Sequence, residues 1–198
     1  MEQHTRTDDT HESRRILEGQ LRECYGRVVY SHKTHEKCAD ILLSHLSLIK
    51  ISQIALSAIT AGGFIAAIFT EGKVTALIAS VVSTILLVLN AYTKDYDLGE
   101  LAQKHRQAAS DLWLIREKYL SLLTDLAMKG KPVEALQQQR DALLDQLHNV
   151  YAGAQSTNSR AYKEAQKALK LNEDMTFSAT EIDILLPSEL RRGQPPSK

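Results

Sequence analysis

The chain has 198 residues, and its 24 basic and 24 acidic side chains give a formal net charge of zero. This balance gives no sign of a nucleic-acid-binding surface, and the length suits roughly one domain. Nine glycines and four prolines are few, which favours long uninterrupted helices. We therefore predict an all-α fold.

Residues 1–11 are polar and are expected to form a flexible N-terminus, without the apolar stretch of a signal peptide. Residues 12–50 predict a cytoplasmic helix that leads towards the membrane. Its apolar positions follow helical spacing, apart from a polar gap at 31–34. The helix carries both cysteines, Cys24 and Cys38. They lie about 21 Å apart along a helix, which is too far for a disulfide, so we expect reduced thiols.

Two segments predict a transmembrane hairpin. Residues 51–70 and residues 74–93 each hold twenty residues without a charge, which is enough for a helix to cross a hydrocarbon core of about 30 Å. Residues 71–73 form the turn between them, so the helices must be antiparallel. A soluble hairpin is the alternative, but the rest of the chain is amphipathic and offers little to cover two such apolar helices.

The distribution of basic residues predicts the orientation of this hairpin. Lys50 precedes the first span and Lys94 follows the second, whereas the turn holds only Lys73. Because cytoplasmic flanks are rich in lysine and arginine, both termini are expected in the cytoplasm. Neither span has an ionisable residue in its interior, which argues against a proton relay or a coupled transporter.

Small and polar residues recur along both spans and allow two interpretations. Small residues four apart let helix backbones approach closely in lipid, either within the hairpin or between copies of the chain. The predicted transmembrane packing positions are Ala58, Gly62, Ala66, Thr75 and Ala79. If copies assemble around a pathway, the predicted pore-lining positions are Ser80, Ser83, Thr84 and Asn90.

Residues 94–192 predict a cytoplasmic helical region that begins with a heptad-like row. This row, predicted as an oligomerisation seam, comprises Leu98, Leu101, His105, Leu112, Ile115, Tyr119, Leu122 and Leu126. Lys129-Gly130-Lys131-Pro132 should end the helix. Further helices are expected at about 133–154 and 160–171, and Ser178 to Glu181 has the form of a capping box. The tail, 193–198, is expected to be disordered. Together with the helix at 12–50, these elements predict a helical bundle below the bilayer.

The sequence gives no sign of a catalytic, cofactor-binding or metal site. His32, His35 and Cys38 cannot present a three-ligand set from one helix, because positions 32 and 38 diverge by about 120° around the axis. His105 is interpreted as a core or interface histidine, with a pH-sensitive interface as the less favoured alternative. No phosphate-binding loop or hydrolase motif is visible. We therefore predict that the chain is not an enzyme.

Several segments carry a resemblance to a known family. They are Tyr30…His35…Ala39, the run from Leu101 to Ala109, the run from Tyr162 to Ala168, Glu181-Ile182-Asp183, and the run from Leu186 to Arg191. With the two close spans, this layout over about residues 12–192 resembles the SLATT family, two-transmembrane effector domains that accompany nucleotide-signalling and related bacterial defence systems. The family has no established catalytic residues to carry over.

The resemblance implies an effector in the bacterial inner membrane that oligomerises and forms a pore, or otherwise disrupts the membrane, during anti-phage defence or abortive infection. Its partners would be the lipid bilayer, further copies of itself, and a separate sensor protein or a nucleotide- or nucleic-acid-linked signal. No direct nucleic-acid binding and no cofactor are predicted. The alternatives are a membrane anchor that recruits a cytosolic partner through its bundle, and a small channel subunit.

Overall fold

A computed structural model describes the backbone of residues 2–69, 73–187 and 190–192, and their side chains except those of 2–10, 64, 66–69 and 73. This part of the chain has six helices and no strand, which confirms the predicted all-α fold. The helices are α1 (Glu2–Phe69), α2 (Lys73–Asp95), α3 (Leu98–Met128), α4 (Val133–Gly153), α5 (Ser159–Lys170) and α6 (Ala179–Leu185).

Helix α1 is continuous from the bundle into the first predicted span. At 1.5 Å per residue its 68 residues extend about 100 Å. No proline interrupts it, and the helix includes residues 2–11 ahead of the predicted start at 12. Thr70, residues 71–72 of the predicted turn, and the predicted disordered tail at 193–198 lie outside the described residues.

The core of the bundle lies where α3 packs along the N-terminal half of α1. Leucines on both helices are almost fully buried there, together with Cys24, Val28 and Tyr119. Helix α4 folds back along α3, and Leu136 and Leu143 extend the same core. Helix α5 packs on α1 through Ala161, Ala165 and Ala168, where small side chains allow a close approach.

A short break separates α2 from α3 and was not predicted. Helix α2 ends at Asp95, and α3 begins at Leu98 with Asp97 as its N-cap. The Asp97 carboxylate accepts a hydrogen bond from the Glu100 amide at 2.8 Å. This bond satisfies one of the amides that the first turn of a helix leaves without a partner.

Replacing Asp97 with alanine should destabilise the first turn of α3 by about 1 kcal/mol, because the Glu100 amide loses its acceptor. Hydrogen exchange of that amide should then become about fivefold faster. Asp95→Ala is the matched control, since Asp95 ends α2 without capping α3. Equal exchange rates in the two variants would contradict a stabilising cap.

The ends of the other helices largely follow the predictions. Helix α3 stops at Met128, and the left-handed residue that ends it is Lys129, with φ of 57°, rather than the neighbouring glycine. Pro132 directly precedes α4. The capping box predicted from Ser178 and Glu181 is confirmed, since both of its reciprocal hydrogen bonds are present at the start of α6.

Candidate functional site

Helices α1 and α2 pack side by side along one face of each. On α1 the half-buried positions from residue 49 onwards follow three- and four-residue spacing, with Ser52 beside Gln53. They are Ile49, Ser52, Gln53, Leu56, Thr60 and Gly63. On α2 the half-buried positions follow the same spacing, and they are Thr75, Ala79, Val82, Leu86, Leu89 and Thr93. The remaining described side chains of the spans are exposed, and bulky apolar residues are prominent among them.

The structure separates the predicted packing positions into two groups. Thr75 and Ala79 lie on the face of α2 that contacts α1. Ala58 and Gly62 are exposed, away from α2, and a Cβ added at Gly62 would have no neighbouring atom within 4 Å. Ala66 lies in α1, but its side chain is outside the described part of the chain. The small residues at 58 and 62 are therefore not needed for packing within the hairpin.

The predicted pore-lining positions also differ among themselves. Ser80, Ser83 and Thr84 are exposed on α2, and the Thr84 hydroxyl donates to the carbonyl oxygen of Ser80 at 2.9 Å. Asn90 instead contacts the other span. The side-chain amide of Gln53 donates to Asn90 Oδ1 at 2.9 Å and is 3.3 Å from Thr93 Oγ1. This polar contact joins the two helices at the end of the hairpin nearest the bundle.

The predicted oligomerisation seam lies largely inside the chain. Leu98 and Leu101 are half-buried, and the other six positions are buried. Five of these six belong to the core shared with α1. Burial and the neighbouring Cys24 thiol raise the pKa of Tyr119 to about 12, so its phenol stays neutral. A second copy would reach this row only if α1 moved away, so its use between copies stays a prediction.

A histidine pair lies within the bundle on the membrane side of this core. His35 on α1 and His105 on α3 are each about 3% exposed, and their Nδ1 atoms are 2.9 Å apart. One Nδ1 must donate and the other accept, so the two rings cannot both be protonated and keep this bond. His32, one turn away, donates from Nδ1 to the Ala109 carbonyl oxygen at 2.8 Å.

Burial keeps this pair neutral. Burial, with smaller contributions from the nearby His105 and His32, lowers the pKa of His35 to about 4. Burial also lowers the pKa of His105. His105 belongs to the predicted heptad-like row, and His35 lies seven residues after Val28 in the apolar spacing of α1. The contact between the two rings was not predicted. A signal for this contact was present in the sequence, since the apolar face of α1 contains His35 and that of α3 contains His105, and these two faces pack together.

Three residues of the polar gap at 31–34 are also buried, namely His32, Lys33 and Thr34, and Lys33 pairs with Asp174 in the C-terminal part of the chain. Burial disfavours the charge of Lys33, but hydrogen bonds to Asp174 and Glu36, at 2.9 and 3.0 Å, outweigh this effect and raise its pKa. Nearby, the Tyr30 and Tyr162 rings are in contact, with centroids 6.0 Å apart. The segment that follows α5 is therefore fixed to α1 at the level of the histidine pair.

Comparison with protein families decides the wider assignment. The sequence model of the SMODS and SLOG-associating 2TM effector domain family 4, or SLATT family 4, matches residues 17–181. The chain belongs to SLATT family 4. The match covers the bundle, both spans and the start of α6, so the suspected resemblance is confirmed. Searches of curated proteins and of solved structures found no match.

The SLATT assignment agrees with the hairpin. Two of its helices are long and apolar enough to cross a membrane, and no residue of either apolar window is buried inside the chain. The family is described as having two transmembrane helices, and this chain has two exposed apolar helices of sufficient length. Both observations fit a membrane protein. The family description names an effector domain and no enzyme activity. Within the described residues, no three histidine, cysteine or acidic side chains are grouped to hold a metal ion.

Proposed function

We propose that this SLATT protein is an effector of the bacterial inner membrane that self-associates and opens a pore, or otherwise disrupts the bilayer, in anti-phage defence. The observation that carries the proposal is the exposed face of α2 with Ser80, Ser83 and Thr84. Helix α1 does not cover this face of α2. Hydroxyl groups in a membrane favour contact with water or with another protein helix over contact with lipid.

Both termini lie in the cytoplasm in this proposal, with the bundle below the bilayer. The bilayer and further copies of the chain are the partners. The signal comes from a separate sensor protein or from a nucleotide- or nucleic-acid-linked messenger. Such a signal would act on the bundle, because α1 and α3 pack on each other there and lead to the two spans.

Membrane potential in cells tests the proposal. The protein is expressed from a tightly controlled promoter, with and without its neighbouring genes, and a voltage-sensitive dye is read alongside viable counts. Depolarisation that precedes loss of viability supports a pore. Cell death with an intact membrane potential, or no effect even with the neighbouring genes, contradicts it.

Cysteine accessibility should identify the water-facing side of α2. In active cells, a membrane-impermeant thiol reagent should modify Ser83→Cys at least tenfold faster than Val81→Cys, which lies about 160° around the helix. The native thiols Cys24 and Cys38 are buried and give a low background. Equal modification of both variants would mean that α2 does not present a hydroxyl-lined pathway.

A further inference from the structure

Between the apolar core and the two spans lies a section of the bundle that is held mainly by polar contacts. Towards the spans, the buried core cluster extends no further than Val28 on α1 and Leu112 on α3. The residues of these helices that are buried closer to the spans are histidines, Lys33, Thr34, Cys38 and alanines. They bury less apolar area than leucines do, so this section relies more on hydrogen bonds and ion pairs.

The segment that follows α5, residues 172–177, crosses this section, and we call it the strap. A cavity of about 510 Å³ is lined by α1, α3 and the strap together, through His32, Lys33, Trp113, Arg116, Met175 and Phe177. Asp174 of the strap pairs at 2.9 Å with Lys33, whose side chain is only 11% exposed. The strap therefore covers the line along which α1 meets α3.

The backbone of the strap is strained at two positions. Glu173 and Met175 have φ of 54° and 68°, in the left-handed region that glycine and asparagine favour. The local sequence therefore does not favour this path of the chain. A strained backbone persists only where surrounding contacts impose it. The Lys33–Asp174 ion pair and the strap side chains in the shared cavity are the contacts that do so.

Release of the strap does not leave a buried charge without a partner. Lys33 also pairs with Glu36 within α1, at 3.0 Å, and keeps this partner when Asp174 leaves. The Asp174 side chain is already 34% exposed, and it returns to water. Loss of the last partner of a buried charge is the costly event. Because that event does not occur here, the strap can open while the bundle stays folded.

We propose that the strap is a releasable autoinhibitory contact. In the resting chain it holds α1 and α3 together at the level of the histidine pair, and its release lets the two helices separate there. The apolar core beyond Val28 and Leu112 stays packed, so the change reaches the spans without unfolding the bundle. The inhibitory role rests on the proposed function, whereas release of the strap is measurable in the purified protein.

Trp113 is the only tryptophan of the chain, and it lines the same cavity as the strap. It is 49% exposed, so full exposure after release should strengthen acrylamide quenching of its fluorescence by up to about twofold. Asp174→Ala in the full-length, detergent-solubilised protein should show this increase with unchanged helical circular dichroism. Glu173→Ala is the matched control, since the Glu173 carboxylate has no ion pair among the described residues. Equal quenching in the two variants would overturn anchoring by Lys33.

Glu173→Gly tests the strap in the opposite direction. Glycine adopts the left-handed conformation without the steric cost that alanine has. The Thr176 amide donates to the Glu173 carbonyl oxygen at 3.0 Å and reports opening of the strap. Its hydrogen exchange should be about fivefold slower in Glu173→Gly than in Glu173→Ala. Equal exchange in the two variants would overturn the assignment of a strained, contact-imposed strap.

Membrane potential in cells tests the inhibitory role. At an expression level where the wild-type chain alone is silent, Asp174→Ala should depolarise the membrane without the neighbouring genes, whereas Glu173→Ala should not. If Asp174→Ala strengthens quenching but causes no depolarisation, while the wild type with the neighbouring genes does, the inhibitory role fails and the proposed function stands. If neither chain depolarises the membrane under any of these conditions, both fail, and the strap is only a structural contact.

Discussion

Replacing Gly62 with leucine is expected to abolish depolarisation and cell killing while leaving membrane insertion intact. Within one chain a Cβ at this position has no atom of a neighbouring element within 4 Å, and the position faces away from α2, so the larger side chain should not disturb the hairpin. Between copies it would overpack a close helix contact at a cost of about 1–3 kcal/mol per contact, or about ten- to a hundredfold in association constant. Leucine also favours insertion into lipid.

The control for this variant is Ala61→Leu, which adds similar bulk at an exposed position about 100° around α1. Dye response, viable counts and the amount of protein in the membrane fraction are measured for both. Unchanged killing by Gly62→Leu would show that α1 makes no close contact between copies at this stripe. Loss of killing by both variants would indicate a general effect of bulk on the span.

Lowering the pH from 7 to 5 is expected to destabilise the bundle by about 2 kcal/mol through His35. Its pKa is about 4 in the folded chain and 6.5 in the unfolded chain. Between these values the unfolded state binds more protons, so the free energy of unfolding falls as the pH falls. Thermal unfolding of the detergent-solubilised protein, followed by circular dichroism, measures the change.

His35→Asn should remove most of this dependence, because asparagine retains a hydrogen-bonding group towards His105 but does not titrate. His45→Asn, at an exposed position of α1, is the matched control and should leave the dependence unchanged. Asp174, which pairs with Lys33 close by, has a pKa lowered from 3.8 and stays ionised throughout the window. A wild-type protein with equal stability at pH 5 and pH 7 would contradict the assignment.

Much of the fold could be predicted because its signals are local. Charge-free length predicted the two spans, Gly130 and Pro132 marked the end of α3, and Ser178 with Glu181 marked the start of α6. The break at Tyr96 and Asp97 was missed, although it has a local signal as well. Asp97 followed by Glu100 places a capping side chain and a first-turn carboxylate at the start of α3.

The candidate site was less predictable, because helical periodicity identifies a face and not its partner. The row from Leu112 to Leu126 was predicted both to join a bundle with the helix at 12–50 and to associate between copies. The structure pairs it with α1 of the same chain. Ala58 and Thr75 had equivalent patterns, but only Thr75 faces the other span. The face of each helix that contacts the other depends on the rotation of α1 and α2 about their own axes. The spacing of residues along one helix does not specify this rotation.

The two routes from the bundle into the bilayer differ mechanically. The first span is the end of an unbroken α1, whereas a capped break at 96–97 separates the second span from α3. A rigid rod transmits tilt and twist along its length, and a hinge absorbs them. A displacement of the bundle would therefore tilt the first span together with α1, whereas the break would let the second span keep its orientation in the lipid. The two spans would then slide against each other, and the Gln53–Asn90 hydrogen bond, which joins them near the break, would be the contact most strained.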